Sequence, residues 1–175
     1  GYRGGLLDTV LQRVVDAFMT IPDLVFVVVL MAVFGPGMLN IIFSLSIVSL
    51  FWNTRIIRGE VLSLKEDQYV EAARSMGASD MRIMMRHILP NAMAPIIILV
   101  TIRVGSFILA EASISFLGFG VQHPDASWGS LIQESKSPEH WWITVFPGLL
   151  IFVTVTCYNL AGDAIRDAMD PKMKV

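Results

Sequence analysis

Apolar positions gather in four long runs: Phe18 to Phe34, Met38 to Trp52, Ala92 to Leu117 and Trp141 to Ala161. Crossing the hydrocarbon of a bilayer takes about 20 mostly apolar residues, so each run is a candidate span. The second is short and carries Asn40 and three serines. Gly35-Pro36-Gly37 ahead of it is an uncharged tight turn, however, and a hairpin of two spans is the simplest way to accommodate one. Before the first run, Leu7, Val10, Leu11, Val14 and Phe18 make one helical face, opposite Asp8, Gln12, Arg13 and Asp16. That pattern predicts a helix on the membrane surface leading into the first span, with a break or bend at Pro22-Asp23.

Between the second and third runs the pattern changes. Asp67 to Met76 favours helix, and Gly77 follows where a C-terminal cap needs positive φ. Ser79 or Asp80 can cap a second helix, Met81 to Ile88, because a short side-chain oxygen accepts the free amides of a first turn. Pro90 is expected to end it and to bias Leu89 away from the helical region. Such a short hairpin buries little by itself, so Met76, Met81, Met84 and Met85 need a surface, partly this chain's own and partly a partner's.

Charge sets the orientation. The connection from Asn53 to Pro90 carries Arg55, Arg58, Lys65, Arg74, Arg82 and Arg86, whereas the connection from Gly118 to His140 carries Lys136. The positive-inside rule puts the first in the cytoplasm and the second outside, with residues 1–17 and the tail bearing Arg166, Lys172 and Lys174 inside. With 54% hydrophobic and 16% charged residues, the 175-residue chain is too apolar for an ordinary soluble domain. Its net charge of −2 says nothing about partners, and nothing directs it to nucleic acid. Cys157 lies in an apolar run and reads as a buried small hydrophobe. The chain begins at Gly1 with no charged-then-apolar leader, as a truncated chain would.

Candidate chemistry is sparse. No glycine is followed by lysine, so a phosphate cradle of the G-x-x-x-x-G-K type is missing from the sequence. His87, His123 and His140 lack metal-ligand spacing, and Ser113 and Ser115 lack a neighbouring base. The expectation is no catalytic residue, no metal and no cofactor in this chain. Charges at membrane depth normally face protein or water, which singles out Arg103 and Glu111. Eight residues apart, they lie about 12 Å apart along a helix and cannot pair directly. Ser46, Ser49 and Asn53 share a face of the second span, and Thr156, Asn159 and Asp163 a face of the fourth. Each set can line a water-filled path or serve as hydrogen-bonding glue between helices. Ser106, Ala110 and Ser113 form a small-residue stripe suited to close helix approach. Pro147-Gly148 predicts a bend in the fourth span. Trp128, Trp141 and Trp142 suit the outer interface, and a short helix from Ser130 to Lys136 is available to an external solute-binding protein.

Glu71-Ala72-Ala73, Gly77 and Leu89-Pro90 together resemble the EAA loop of permease subunits of ATP-binding-cassette importers. "RHILPNAMAP", "AEASISFLGFGVQHPDASWG" and "NLAGDAIRDAMDP" are similar to the peptide and nickel branch, the C-type subunit of dipeptide or oligopeptide permeases. The likeness covers nearly the whole chain. It implies an all-α integral membrane protein, a transmembrane helix bundle like that of type I importer permeases, with about four spans in one domain over residues 1–175. The cytoplasmic coupling loop covers about 60–90 and the external loop about 118–140. By the same resemblance Glu71, Ala72, Ala73 and Gly77, with Arg74 beside them, couple to an ATPase. His87 stands where the family pattern has isoleucine and takes no coupling role. Members usually carry one or two more spans before "GYRGG". The implied partners are two ATPase subunits holding ATP and Mg, a homologous permease, an extracytoplasmic binding protein and the lipid of a bacterial or archaeal inner membrane. An ion-coupled carrier using Glu111 and Arg103, or a scaffold recruiting a soluble partner, remain the alternatives. The solute stays open among dipeptides, oligopeptides, nickel chelates, glutathione and sugar-like molecules.

Overall fold

The structure, a computed structural model, describes residues 1–135 and 138–169; Lys136, Lys172 and Lys174 of the charge analysis lie outside the described residues. These residues form helices with no strand: α1 Gly5–Met19, α2 Asp23–Phe34, α3 Met38–Lys65, α4 Gln68–Ser75, α5 Asp80–Ile83, a π turn Met84–Ile88, α6 Leu89–Phe116, α7 Trp128–Glu134, a 3-10 turn Pro138–His140 and α8 Trp142–Met169. Among the described residues three helices are long and apolar enough to cross a membrane: α3, the uninterrupted Asp80–Phe116 that contains α6, and α8. α1 and α2 meet that requirement only together, as a broken pair. The first apolar run is therefore not one helix, because Thr20 and Pro22 separate α1 from a 12-residue α2. α3 is far longer than the short second run suggests, since its helix-forming polar residues continue the same helix to Lys65.

The chain packs as two compact units, Gly1–Thr20 with Ser49–Leu99, and Ile21–Val48 with Val100 onward. In the first, Val70, Ala73, Ile83 and Ile88 bury against one another around Tyr2, with Val61, Leu64, Ala78 and Met84 packed outside them. Helix α1 attaches here by its polar side. Arg58 grips the Asp8 carboxylate through two nitrogens, the shorter bond 2.7 Å. Phe18 stacks on Phe51 with ring centres 4.4 Å apart. The apolar residues Leu6, Leu7, Val10 and Leu11 are left exposed, facing away from the protein as a helix lying on lipid requires.

In the second unit, Val27, Met31, Ile41, Val48 and Ile114 form the core. Asn40 is not a flaw in a span. Its side chain donates to the carbonyls of Phe34 and Gly35 at 2.9 and 3.0 Å, satisfying acceptors that the end of α2 leaves open. Helix α6 ends in a Schellman motif: Gly118 takes φ +87°, and the Phe119 amide reaches back to Ile114. The chain then returns close to the helix it left, so that a Cβ on Gly120 would overlap Ser115 and one on Gly129 would overlap the Ala112 carbonyl. Helix α7 can lie this close only because position 129 has no side chain. Ser127 and Ser130 form a reciprocal capping box that fixes the start of α7, two residues earlier than the sequence suggests. Pro147 is buried inside α8, which continues through it.

Two outcomes are expected. Gly129→Val should destabilise the full-length protein in detergent by roughly 1–3 kcal/mol or more, since backbone cannot yield like a side chain. Gly148→Ala, which would meet nothing within 4 Å, should be neutral or slightly stabilising. Thermal unfolding of the two variants side by side checks this. The second outcome concerns pH. Arg58's hydrogen bond holds the Asp8 carboxyl well below the ordinary carboxylate value. A lowered carboxylate pKa stabilises the fold above its unfolded value and is lost only as pH falls through the folded one, so hydrogen-exchange protection of α1 should stay constant from about pH 8 to 5. Loss of protection within that range would contradict the pairing.

Candidate functional site

The polar hairpin is built from α4 and α5. Ser63 and Leu64 carbonyls accept from Glu66 and Asp67 in a tight turn off the end of α3. Helix α4 stops at a second Schellman motif: Gly77 has φ +80°, its amide donates to Arg74 and the Ala78 amide to Ala73. Ser79 then caps α5 by accepting from the Arg82 amide at 3.4 Å. Positive φ at Gly77 is what the sequence predicts, and of the two caps it offers, Ser79 and Asp80, the serine is the one used.

Pro90 does something else. Leu89 is helical, at φ −58° and ψ −46°, and no break separates α5 from α6. A proline inside an α-helix lacks a donor and crowds the carbonyl four residues before it. Here the turn just ahead is a π turn, closed by the Leu89 amide on the Met84 carbonyl, and the helix continues through this wider turn. The Asn91 side chain donates to the His87 carbonyl at 2.6 Å. The second arm of the hairpin is therefore the start of α6 and not a separate helix.

The five residues singled out for coupling divide into two groups. Glu71, Ala72, Arg74 and Gly77 are exposed, but Ala73 is 2% exposed and faces the hairpin's own core. The adjacent alanines differ in what they touch: Ala73 is small so that α4 can lie on Ile83 and Ile88, and Ala72 is on the open side. Met76, Met81 and Met85 are exposed on the same hairpin, whereas Met84 is half-buried. His87 is half-buried beside the Tyr69 ring.

Of the polar residues at membrane depth, Glu111, Ser106, Asn159 and Asp163 line two cavities of the second unit. The larger, about 600 Å³, has apolar walls including Ile41, Ile42, Phe107 and Trp128, with Glu111 its one charged residue. Glu111 accepts a 2.6 Å hydrogen bond from Ser115, which is itself buried. The smaller, about 370 Å³, brings Asn159 and Asp163 of α8 together with Gly105 and Ser106 of α6. The Asn159 side-chain oxygen lies 2.9 Å from where a Cβ on Gly105 would be. Here, as at Gly129, glycine allows close approach. Arg103 is half-buried on α6. Ser46 spends its hydroxyl on the Ile42 carbonyl, at 2.6 Å, and α3 lines the larger cavity with aliphatic residues. Ser49 and Asn53 are half-buried, and Cys157 is exposed, not buried. Among the described residues no group of three metal-ligating side chains converges.

Sequence reasoning missed Tyr2, Ser44 and Gly129. Ser44 is fully buried and donates to the Met31 sulfur at 3.7 Å. Its position one turn before Val48 in an apolar run gave no sign of that. Gly129 stood beside the expected start of α7, where its lack of a side chain could have been noted.

Comparison with known proteins agrees with this geometry. The chain is 41% identical to the glutathione transport system permease protein GsiD of Escherichia coli O6:K15:H31, covering 99% of this chain and 58% of that one. It is 44% identical to a provisionally named peptide transport system permease protein of Brucella suis biovar 1, over 96% of this chain and 57% of that one. It thus spans under three-fifths of the length of these relatives. A chain of the MetNI methionine ABC transporter, solved in inward-facing conformations, has the same fold, with a TM-score of 0.76 at 22% identity over 94% of this chain and 76% of that chain. All 175 residues match one family, and the chain belongs to it: the inner membrane components of binding-protein-dependent transport systems.

Proposed function

We propose that this chain is the translocation part of a permease subunit in an importer driven by ATP hydrolysis elsewhere, carrying peptides or a related solute such as glutathione across the cytoplasmic membrane. Family membership and the relatives' names support the class of solute. One observation carries the mechanism: the hairpin that presents Glu71, Ala72 and Arg74 continues through the π turn into α6 without a loop. A partner that grips the hairpin therefore pulls on a helix, and a helix transmits displacement where a loop would absorb it. Exposed methionines beside the charged residues suit a groove on a soluble ATPase subunit, since thioethers adapt to irregular apolar surfaces.

ATP and Mg would sit on that subunit. A second, homologous permease would complete the path, and an external binding protein would deliver the solute. Alternating access requires that the nucleotide-bound ATPase prefer one arrangement of the permease over the other. In the path itself Glu111, Arg103, Asn159 and Asp163 are the candidates, and the serines of α3 are weaker ones.

The test uses the full-length chain assembled with its partners in liposomes, with glutathione and a dipeptide as tracers. Cysteine at Ala72 should crosslink to the ATPase subunit and cysteine at Ala73 should not, because the second position is buried. Glu71→Lys should lower ATP-dependent uptake by about tenfold or more, as expected for a charge reversed inside an interface. Equal crosslinking from both positions with normal uptake in Glu71→Lys would refute the assignment. Uptake that survives ATP depletion but collapses with the proton gradient would favour an ion-coupled carrier instead.

A further inference from the structure

The hairpin core contains a residue from far away in sequence. Tyr2 is 7% exposed and packs with Val70 and Ala73 of α4, with Ile83 of α5 and with Ile88 of the π turn. Its hydroxyl donates to the Asp80 carboxylate at 3.3 Å and accepts from the Arg74 guanidinium at 3.5 Å. Arg74 is in the last turn of α4 and Asp80 is the first residue of α5. The phenol thus bridges the two arms at the end where Gly77 turns the chain. Lys65, the last residue of α3, holds its ammonium 5.7 Å from the centre of the Tyr2 ring, within range of a cation–π attraction. Arg3 adds a 3.6 Å ion pair to the same Asp80. Gly4 and Gly5, at φ +65° and +83°, then turn the chain away into α1, a path that side-chain-bearing residues would resist.

One alanine, two isoleucines and a valine are a small buried core on which to seat the eight-residue α4. α4, with eight residues, is too short to be stable alone, whereas α5 continues into α6. The buried ring fills the space between α4 and α5, and the hydroxyl does something the ring cannot: it restrains a charged side chain that is otherwise exposed on the outer face.

We propose that Tyr2 is a positioning residue for coupling: it seats the α4–α5 hairpin and orients Arg74 toward the ATPase, so that the segment leading into α1 sets the docking surface. This rests on the coupling reading above. A merely structural tyrosine would be replaceable by phenylalanine. A positioning one is not, because the hydroxyl carries the bridge from Arg74 to Asp80.

The experiment is site-specific crosslinking from Ala72→Cys to the ATPase subunit in the full-length assembled complex, with complex recovery measured by size exclusion. Tyr2→Phe should leave recovery unchanged and lower crosslinking by about fivefold, the scale of one lost hydrogen bond. Arg74→Gln should lower it similarly, and the double variant should add little, since both changes remove the same bridge. Crosslinking at the parent level in Tyr2→Phe, while Glu71→Lys abolishes it, would overturn the role of Tyr2 and leave the coupling reading standing. Strictly additive single effects would overturn it too. Absence of any crosslink in the parent complex would remove both together.

Discussion

Pro90 has no amide to donate, yet it lies within the first turn of a 28-residue helix. The π turn from Met84 to Ile88 precedes it without a break in the helix, and on that continuity the architecture depends. Were the helix to stop at Leu89, the polar hairpin would hang from the membrane segment on a loop. As it is, α5, the π turn and the start of α6 are one run of backbone hydrogen bonds, and α4 is fastened to that run through Val70, Ala73 and the turn at Gly77. Longer i→i+5 turns recur at functional positions in helices because they hold a bend without breaking the backbone ladder. Here the π turn joins the polar hairpin to an apolar helix long enough to cross a membrane.

Glycine performs two different tasks in the fold. At Gly77 and Gly118 it supplies positive φ, so that two helices end within one residue and the chain reverses. At Gly105, Gly120 and Gly129 it supplies absence, letting backbone or a polar side chain come where a Cβ would collide or crowd. In hydrocarbon, packing of this kind takes over from the hydrophobic effect as the force between helices, since lipid tails are as apolar as leucine. The consequence is that the polar groups of α6 and α8 are held in defined cavities. Glu111 faces an apolar cavity with Ser115 as its hydrogen-bond donor, while Asn159 and Asp163 share a separate one with Ser106.

Much of this was legible in the residues themselves. Hydropathy located the spans, Gly35-Pro36-Gly37 the turn between two of them, and Gly77 with Ser79 the cap-and-restart of the hairpin, because each of these signals acts within a few residues. Helix limits were less legible. Pro90 and Leu89 read as a stop, since local rules describe α-helices and not the π turn that accommodates a proline. The 15-residue α1 and 12-residue α2 read as a helix flowing into a span, although the break at Pro22 was foreseen. What could not be read was partnership over distance. Ala72 and Ala73 are identical letters side by side, and only the fold sends one outward and the other under Tyr2, about seventy residues upstream. Asp8 likewise looked like a solvated charge opposite an apolar face until Arg58, fifty positions on, proved to be its partner. Resemblance singled out Glu71 to Gly77 as a group, whereas telling the exposed residues from the buried Ala73 required the fold.

The most direct measurement inserts two glycines between Ile88 and Leu89 of the full-length chain and follows solute imported per ATP hydrolysed by the assembled transporter. If the hairpin works through an unbroken helix, the ATPase still docks and still turns over, and import per ATP collapses. If import per ATP is unchanged with the helix interrupted at that point, displacement does not travel through α6, and the account of how this chain couples to its motor is wrong.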